Sequence, residues 1–176
     1  MIKGCKSGHK GAQKVQPPEE QATIPVEPPN GMYPARVDEK GRLKLPVAFQ
    51  HYFAALPGAR VFVTSLDRQI GHIYPLATWR DNKKFFEAFR DNPRVARRVA
   101  FNANDLGSDS EMDAQGRILL SPELRRELGF ENQSVKICSY KGRVEIYSEA
   151  IYQERKGEAS ASPVEDLELL ESAGLV

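Results

Sequence analysis

The sequence predicts an α+β fold made of two copies of one small unit, each running strand, turn, strand, helix and hairpin, with the short helices outside a β-rich body. Three observations carry that prediction. The stretch Val37, Asp38, Glu39, Lys40, Gly41, Arg42, Leu43, Lys44, Leu45 returns as Met112, Asp113, Ala114, Gln115, Gly116, Arg117, Ile118, Leu119, Leu120, with Asp, Gly and Arg at the same spacing. At roughly 5 to 7% usage of each type, a second D-x-x-G-R arises by chance only about once in several thousand positions. Both copies lead into a short helical pattern and then a hairpin rich in β-branched and aromatic residues. The copies are offset by 75 residues at Asp38/Asp113 and by 73 at Ile73/Ile146 and Tyr74/Tyr147, a register that duplication explains and coincidence does not.

Each element follows from local chemistry. Residues 1–30 are rich in Lys, Gln, Glu and Pro and contain no aromatic side chain, so they bury too little apolar area to offset their ordering entropy. They read as a disordered extension, either without a specific role or acting as a basic arm on DNA phosphates through Lys3, Lys6, Lys10 and Lys14. Residues 33–37 form a short strand ending in the D-x-x-G-R turn, where Gly41 suits a positive φ. Residues 42–45 return as a second strand with Leu43 and Leu45 inward and Arg42 and Lys44 outward. Pro46 stops that strand and opens a helix carrying Phe49, Tyr52, Phe53 and Leu56 on one face, closed before Pro57 and Gly58. Residues 60–65 and 72–74 form a hairpin around the turn at 66–71.

A connector then places Trp79, Phe86 and Phe89 near one helical face, and Asn92 caps a second helix with Pro93 at its first position. Its Arg80, Lys83, Lys84, Arg90, Arg94, Arg97 and Arg98 form either a solvated basic face or a phosphate-facing surface. The second copy repeats the order: turn and strand over 111–120, a helix over 122–128 closed by Gly129, and strands at 135–140 and 144–147 around Lys141 and Gly142. The strand entering it, Gly107, Ser108, Asp109, Ser110, is unusually polar, which leaves its pairing open. After Arg155 the pattern fades into an acidic segment bearing Leu167, Leu169, Leu170 and Leu175, either disordered or a short helix docked on a neighbour.

The chain of 176 residues has a formal charge of +1, so any nucleic-acid surface must come from local segregation of charge. Cys5 and Cys138 give no disulfide framework or metal-ligand spacing, and a reducing cytoplasm fits them. There is no apolar signal segment and no run approaching the roughly 20 apolar residues that span a bilayer. No phosphate-binding loop, dinucleotide fingerprint or H-E-x-x-H occurs, and His9, His51 and His72 have no catalytic context. No enzyme activity, cofactor or metal is expected. Asp38 and Asp113 each have an arginine four residues on, which favours a structural ion pair over acid–base work.

The positive reading is nucleic acid. Asp38 and Gly41, with Asp113 and Gly116 in the second copy, shape the loops. Arg42 and Arg117 leave them on one edge, related by a pseudo two-fold axis, with forks suited to phosphate or guanine. Arg36, Lys40, Lys44, Arg125 and Arg126 thicken that edge with phosphate contacts.

The strings RVDEKGRLKLP and EMDAQGRILLSPELRRELGF, with FVTSLD, IYPLATW and VEIYS at their spacing, closely resemble the MraZ family of bacterial transcriptional regulators, over about residues 30–152. The second copy also resembles the swapped-hairpin module of AbrB-type regulators. The resemblance implies two tandem AbrB-like halves completing one swapped-hairpin β-barrel. It implies ring-shaped homo-oligomers (octamer or dodecamer) that bind direct repeats of double-stranded DNA in the promoter of the division and cell wall gene cluster, in the cytoplasm at the nucleoid. The family's signature Asp and Arg fall on Asp38 and Arg42 and on Asp113 and Arg117. Members begin just before the glycine matched by Gly31, which makes the first thirty residues an extension. The expected organisation is an extension at 1–30, a first half at 31–79, a helical connector at 80–105, a second half at 106–155 and an acidic tail at 156–176. The competing reading is a protein-interaction module of the same fold, an antitoxin-type or scaffold ring whose arginines meet acidic protein.

Overall fold

The structure is a computed structural model that describes residues 26–176. Most of the extension expected at 1–30 lies outside the described residues. Eight strands form one antiparallel sheet in the order β5-β3-β4-β8-β7-β1-β2-β6. In chain order they are β1 (Tyr33–Val37), β2 (Arg42–Lys44), β3 (Arg60–Thr64), β4 (Gly71–Pro75), β5 (Ser108–Glu111), β6 (Arg117–Leu119), β7 (Ser134–Tyr140) and β8 (Arg143–Ser148). Six helices accompany the sheet among the described residues: α1 (Val47–Ala55), α2 (Leu76–Ala88), α3 (Pro93–Leu106), α4 (Pro122–Leu128), α5 (Glu149–Ala159) and α6 (Pro163–Ser172).

The pairings show how the duplication folds. β1 of the first half pairs with β7 of the second, Tyr33 opposite Ile137, and β3 of the first half pairs with β5 of the second, Val63 opposite Ser108. Each half therefore completes its sheet with a strand of the other, which is the swapped-hairpin arrangement. Two further ladders lie on the pseudo two-fold axis. β2 meets β6 with Leu43 opposite Ile118, and β4 meets β8 with His72 opposite Glu145. The first of these pairs is fully buried and apolar, while the second is buried and polar.

The inward alternation expected along the strands is present. Val37, Leu43, Leu45, Val63, Ile73, Ile118, Leu120, Ile137, Val144 and Ile146 fill the barrel, with Phe49 of α1, Leu124 of α4 and Phe130 packed among them. Tyr33 meets Phe49 edge to face at 5.3 Å, sealing α1 over the first strand. The polar β5 pairs with β3, and the Arg60–Asp109 ion pair at 3.2 Å explains part of its polarity. Its own hairpin partner β6 forms no ladder with it, so the seam of the nearly closed barrel falls there.

The connector packs on the outer face of β3 and β4. Phe62 stacks on Trp79 at 4.3 Å, and Tyr74 and Ala103 complete this second apolar cluster. Asn92 caps α3 by accepting from the Val95 N–H, and Thr64 Oγ1 donates to the Ala103 carbonyl at 2.8 Å, tying β3 to α3. A Cβ on Gly107 would stand 2.2 Å from that same carbonyl and 2.3 Å from the Phe62 ring, so only glycine lets the chain turn from α3 into β5 here. In the second half Tyr152 takes the place of Trp79, with Lys136 Nζ 5.4 Å from its ring centre. The acidic segment is helical rather than patternless. Pro163 sits in the first turn of α6 with Glu165 and Asp166, a start that suits the helix dipole. Among the described residues nothing buries any side chain of this helix.

Candidate nucleic-acid interface

The two D-x-x-G-R turns are near copies. Asp38 Oδ1 accepts from the N–H groups of Lys40 (3.0 Å) and Arg42 (2.9 Å), and its Oδ2 accepts from Arg42 Nε (2.8 Å) and Nη2 (2.7 Å). Asp113 does the same for Gln115 (2.9 Å) and Arg117 (3.0 Å), with Arg117 Nε at 2.8 Å and Nη2 at 2.7 Å. The carboxylate thus holds the loop backbone with one oxygen and its own arginine with the other. The ion pair expected from the four-residue spacing is present in both copies. It also turns each guanidinium back along its loop, leaving the Arg42 and Arg117 side chains 31% and 23% exposed.

These bonds favour the charged carboxylates. The arginine hydrogen bond lowers Asp38 to about 2, and the Arg117 hydrogen bond lowers Asp113 as well. A depressed carboxylate contributes stability that is complete above its ordinary value of 3.8 and is lost as pH falls through the folded value. The Asp38 carboxyl resonance is therefore expected to titrate near 2 in a carbon-detected NMR series, and to move back toward 3.8 in Arg42→Ala. An unshifted midpoint in the parent chain would refute the clamp.

The turns are joined across the axis. The Leu120 N–H donates to the Gly41 carbonyl and the Leu45 N–H to the Gly116 carbonyl, both at 3.0 Å. Gly41 has φ 79° and Gly116 φ 70°. The missing Cβ also leaves room for a side chain of the opposite half to lie over each turn. A Cβ on Gly41 would fall 1.3 Å from Arg125 Nη1, and one on Gly116 would fall 2.2 Å from Gln50 Cδ. Arg125 Nη1 donates to the Leu120 carbonyl at 3.1 Å, and Gln50 Nε2 donates to the Leu45 carbonyl at 2.6 Å. Gln50 and Arg125 stand 75 residues apart, like Asp38 and Asp113, and each reaches over the glycine of the opposite half. Gln50 is absent from the residues expected on sequence grounds, although the same offset from Arg125 points to it.

The remaining predicted residues are placed as follows. Arg36 Nη2 donates to Asn132 Oδ1 at 2.9 Å, and Asn132 holds a positive φ of 52°. Lys44 lies opposite Arg117 in the β2–β6 ladder, and its Nζ donates to the Gln115 carbonyl. Lys40 is exposed at the tip of the first turn, where its carbonyl stands 3.5 Å from Arg125 Nη1. Arg126 faces out from α4 beside Glu123 at 3.7 Å. One edge of the barrel thus gathers Arg42, Lys44, Lys40, Arg117 and Arg125, with Arg36 opposite Lys44 in the β1–β2 ladder, while Arg126 stands farther out on α4.

The copies are not equal. Arg36, Lys40 and Lys44 of the first half correspond to Glu111, Gln115 and Leu119 of the second, whereas Gln50 and His51 correspond to Arg125 and Arg126. Because Arg125 reaches across, the first turn carries Lys40, Arg42 and Arg125 together. The second carries Arg117 and Lys44.

The swapped pairings and the doubled Asp–Arg turn define the class: an AbrB-like swapped-hairpin barrel completed within one chain. The chain belongs to the MraZ family. Residues 108–168 match the family model described as "MraZ protein, putative antitoxin-like". A protein of Acidobacterium capsulatum named transcriptional regulator MraZ is 34% identical over 146 residues, 82% of this chain and 98% of that one. Proteins of the same name from Herpetosiphon aurantiacus and a Mycobacterium species are 35% and 34% identical, over 70% of this chain and 82% and 83% of their own lengths. No helix among the described residues is long and apolar enough to cross a membrane.

Proposed function

We propose that the chain is a sequence-specific DNA-binding transcriptional regulator that works in the cytoplasm, at the nucleoid, as a ring-shaped homo-oligomer on promoter direct repeats of the division and cell wall gene cluster. The observation that carries this reading is the pair of carboxylate-locked arginine turns set side by side, with Lys40, Lys44 and Arg125 among them. A rigid loop edge with several cations and few acids suits a phosphate backbone. The names of the relatives support regulation of transcription, and the family resemblance supports the repeats and the ring.

The test is a fluorescence-anisotropy titration of the full chain against its candidate promoter repeat and a scrambled duplex, over a range of salt concentrations. Arg36→Ala, Lys40→Ala and Lys44→Ala combined are expected to weaken both duplexes alike, and to reduce the salt slope by about 1 for each phosphate no longer neutralised. An unchanged slope would remove these side chains from the interface.

The antitoxin-like wording of the family model favours a second reading, a module whose cationic edge meets an acidic protein surface. Affinity for the scrambled and promoter duplexes that is equally weak at every salt concentration, together with a stable acidic protein partner, would favour it over DNA.

A further inference from the structure

We propose that α6 of one copy docks into the groove between α2 and α3 of a second copy of this chain. The groove runs along the outside of the connector, with Trp79, Phe86, Phe89, Ala96 and Ala100 as its apolar lining. Lys83, Arg90 and Arg97 stand along it, against a single acid, Glu87. Its cations are not spent on pairing: among the described residues, none of the three takes part in an ion pair. This basic, apolar channel is the feature that the strand and turn chemistry leaves unused.

α6 is its complement. At 3.6 residues per turn, Val164, Leu167 and Leu170 fall on one stripe, and Asp166 and Glu171 flank that stripe on opposite sides. Val164 is 61% exposed, Leu167 47% and Leu170 55%, so among the described residues the stripe is left largely uncovered. The helix contains four acids and no base. A short amphipathic helix with an unpartnered apolar stripe and acidic flanks fits a groove with an apolar floor and basic rims. Charge selects the occupant. Duplex DNA would meet Glu87 and the half-buried apolar floor of Phe86, Phe89 and Ala100, which phosphate does not cover, whereas α6 covers the floor and pairs the rim at once. An interface of this head-to-tail kind also leaves each associated pair with one free α6 and one free groove, so it adds further copies until the rotation closes.

The interface is independent of the DNA-facing edge, and its test reads mass rather than DNA affinity. The full chain is followed by sedimentation velocity across the micromolar range. Leu167→Ser with Leu170→Ser is expected to weaken self-association at least about tenfold, and so is Lys83→Glu with Arg97→Glu. Adding Asp166→Lys and Glu171→Lys to the groove variant restores the charge match and is expected to recover most of the loss, which a merely misfolded variant would not do. Mixing the leucine variant, which keeps its groove, with the groove variant, which keeps its α6, is expected to give a one-to-one pair. A parent chain that stays monomeric, leucine variants of unchanged mass, or a charge swap without recovery would each overturn the proposal. Groove variants that keep their mass but lose DNA affinity would assign the groove to phosphate and overturn it equally.

Discussion

Lowering the pH from 7 to 4 is expected to cost the folded chain about 3 kcal/mol through one residue, His72. The ring lies in the β4–β8 ladder on the pseudo two-fold axis, opposite Glu145, and only 3% of the residue is exposed. The imidazole is lowered from 6.5 to about 4, first by burial and then by the Arg143 charge, with Asp67 and Glu145 acting the other way. Glu145 is already engaged. Its Oε1 accepts from Arg143 Nε at 3.0 Å and its Oε2 from the Tyr147 hydroxyl, and it approaches His72 Nε2 only to 3.8 Å. The 3.8 Å approach is therefore not an ion pair at neutral pH, because the ring is uncharged there.

The sign follows from proton counting. Between pH 6.5 and 4 the unfolded chain protonates this histidine and the folded chain does not, so stability falls as pH drops through that window and levels off below it. Urea unfolding of the parent chain and of His72→Gln at pH 7 and pH 4 separates this from the carboxylates, which titrate in both proteins. The parent is expected to lose about 3 kcal/mol more than the variant. Equal losses would show that the ring is charged or hydrated in the fold.

How much of this was legible in the sequence depends on the range of the interaction. The strands, both D-x-x-G-R turns and the helices opened by Pro46, Pro93 and Pro122 were legible, because alternation, glycine and proline act within a few residues. Gly129 closes α4 in the left-handed region, and Lys141 and Gly142 make the β7–β8 turn with φ 47° and 75°, both as their residue types predict. The swapped pairing came from family resemblance, since nothing local tells β1 to choose β7. Long-range side-chain reach was illegible for the same reason. Arg125 reads as a cation for phosphate, yet its guanidinium lies over Gly41, 84 positions earlier in the chain. His72 reads as a lone histidine, and its partner Glu145 as one more surface acid, until β4 and β8 bury them together. The state of α6 is not legible locally, because its stripe has no partner among the described residues. Its Ser162–Pro163 start followed by two acids is the signal that identifies it.

Arg42→Ala combined with Arg117→Ala is expected to reduce affinity for the promoter repeat by at least about 30-fold, from two arginines worth about 1 to 3 kcal/mol each. The geometry sharpens what they would do there. Nε and Nη2 of each are bound to a carboxylate, so the groups left to meet DNA are Nη1 and the outward edge of a guanidinium that its own loop holds still. Locking matters because a fixed fork loses less entropy on binding than a free one. Two further variants separate locking from charge. Arg42→Lys with Arg117→Lys keeps both charges but cannot make the paired Nε and Nη2 bonds, and is expected to lose most of the same affinity. Asp38→Asn with Asp113→Asn keeps an Oδ1 acceptor for the loop N–H groups but releases the arginines, adding net positive charge to the edge. If charge alone governed binding, the asparagine variant would bind more tightly; if the clamp positions the edge, it binds more weakly, and that is the expected outcome. Anisotropy at fixed salt reads the affinity, and thermal melting by circular dichroism establishes that each variant is folded. Lysine variants with the affinity of the parent would reduce Arg42 and Arg117 to point charges. The unequal surroundings give the last discriminating result. Arg42 shares its turn with Lys40 and Arg125, whereas Arg117 has Lys44 alone, so the single change at Arg117 is expected to remove the larger share of binding at its own half-site.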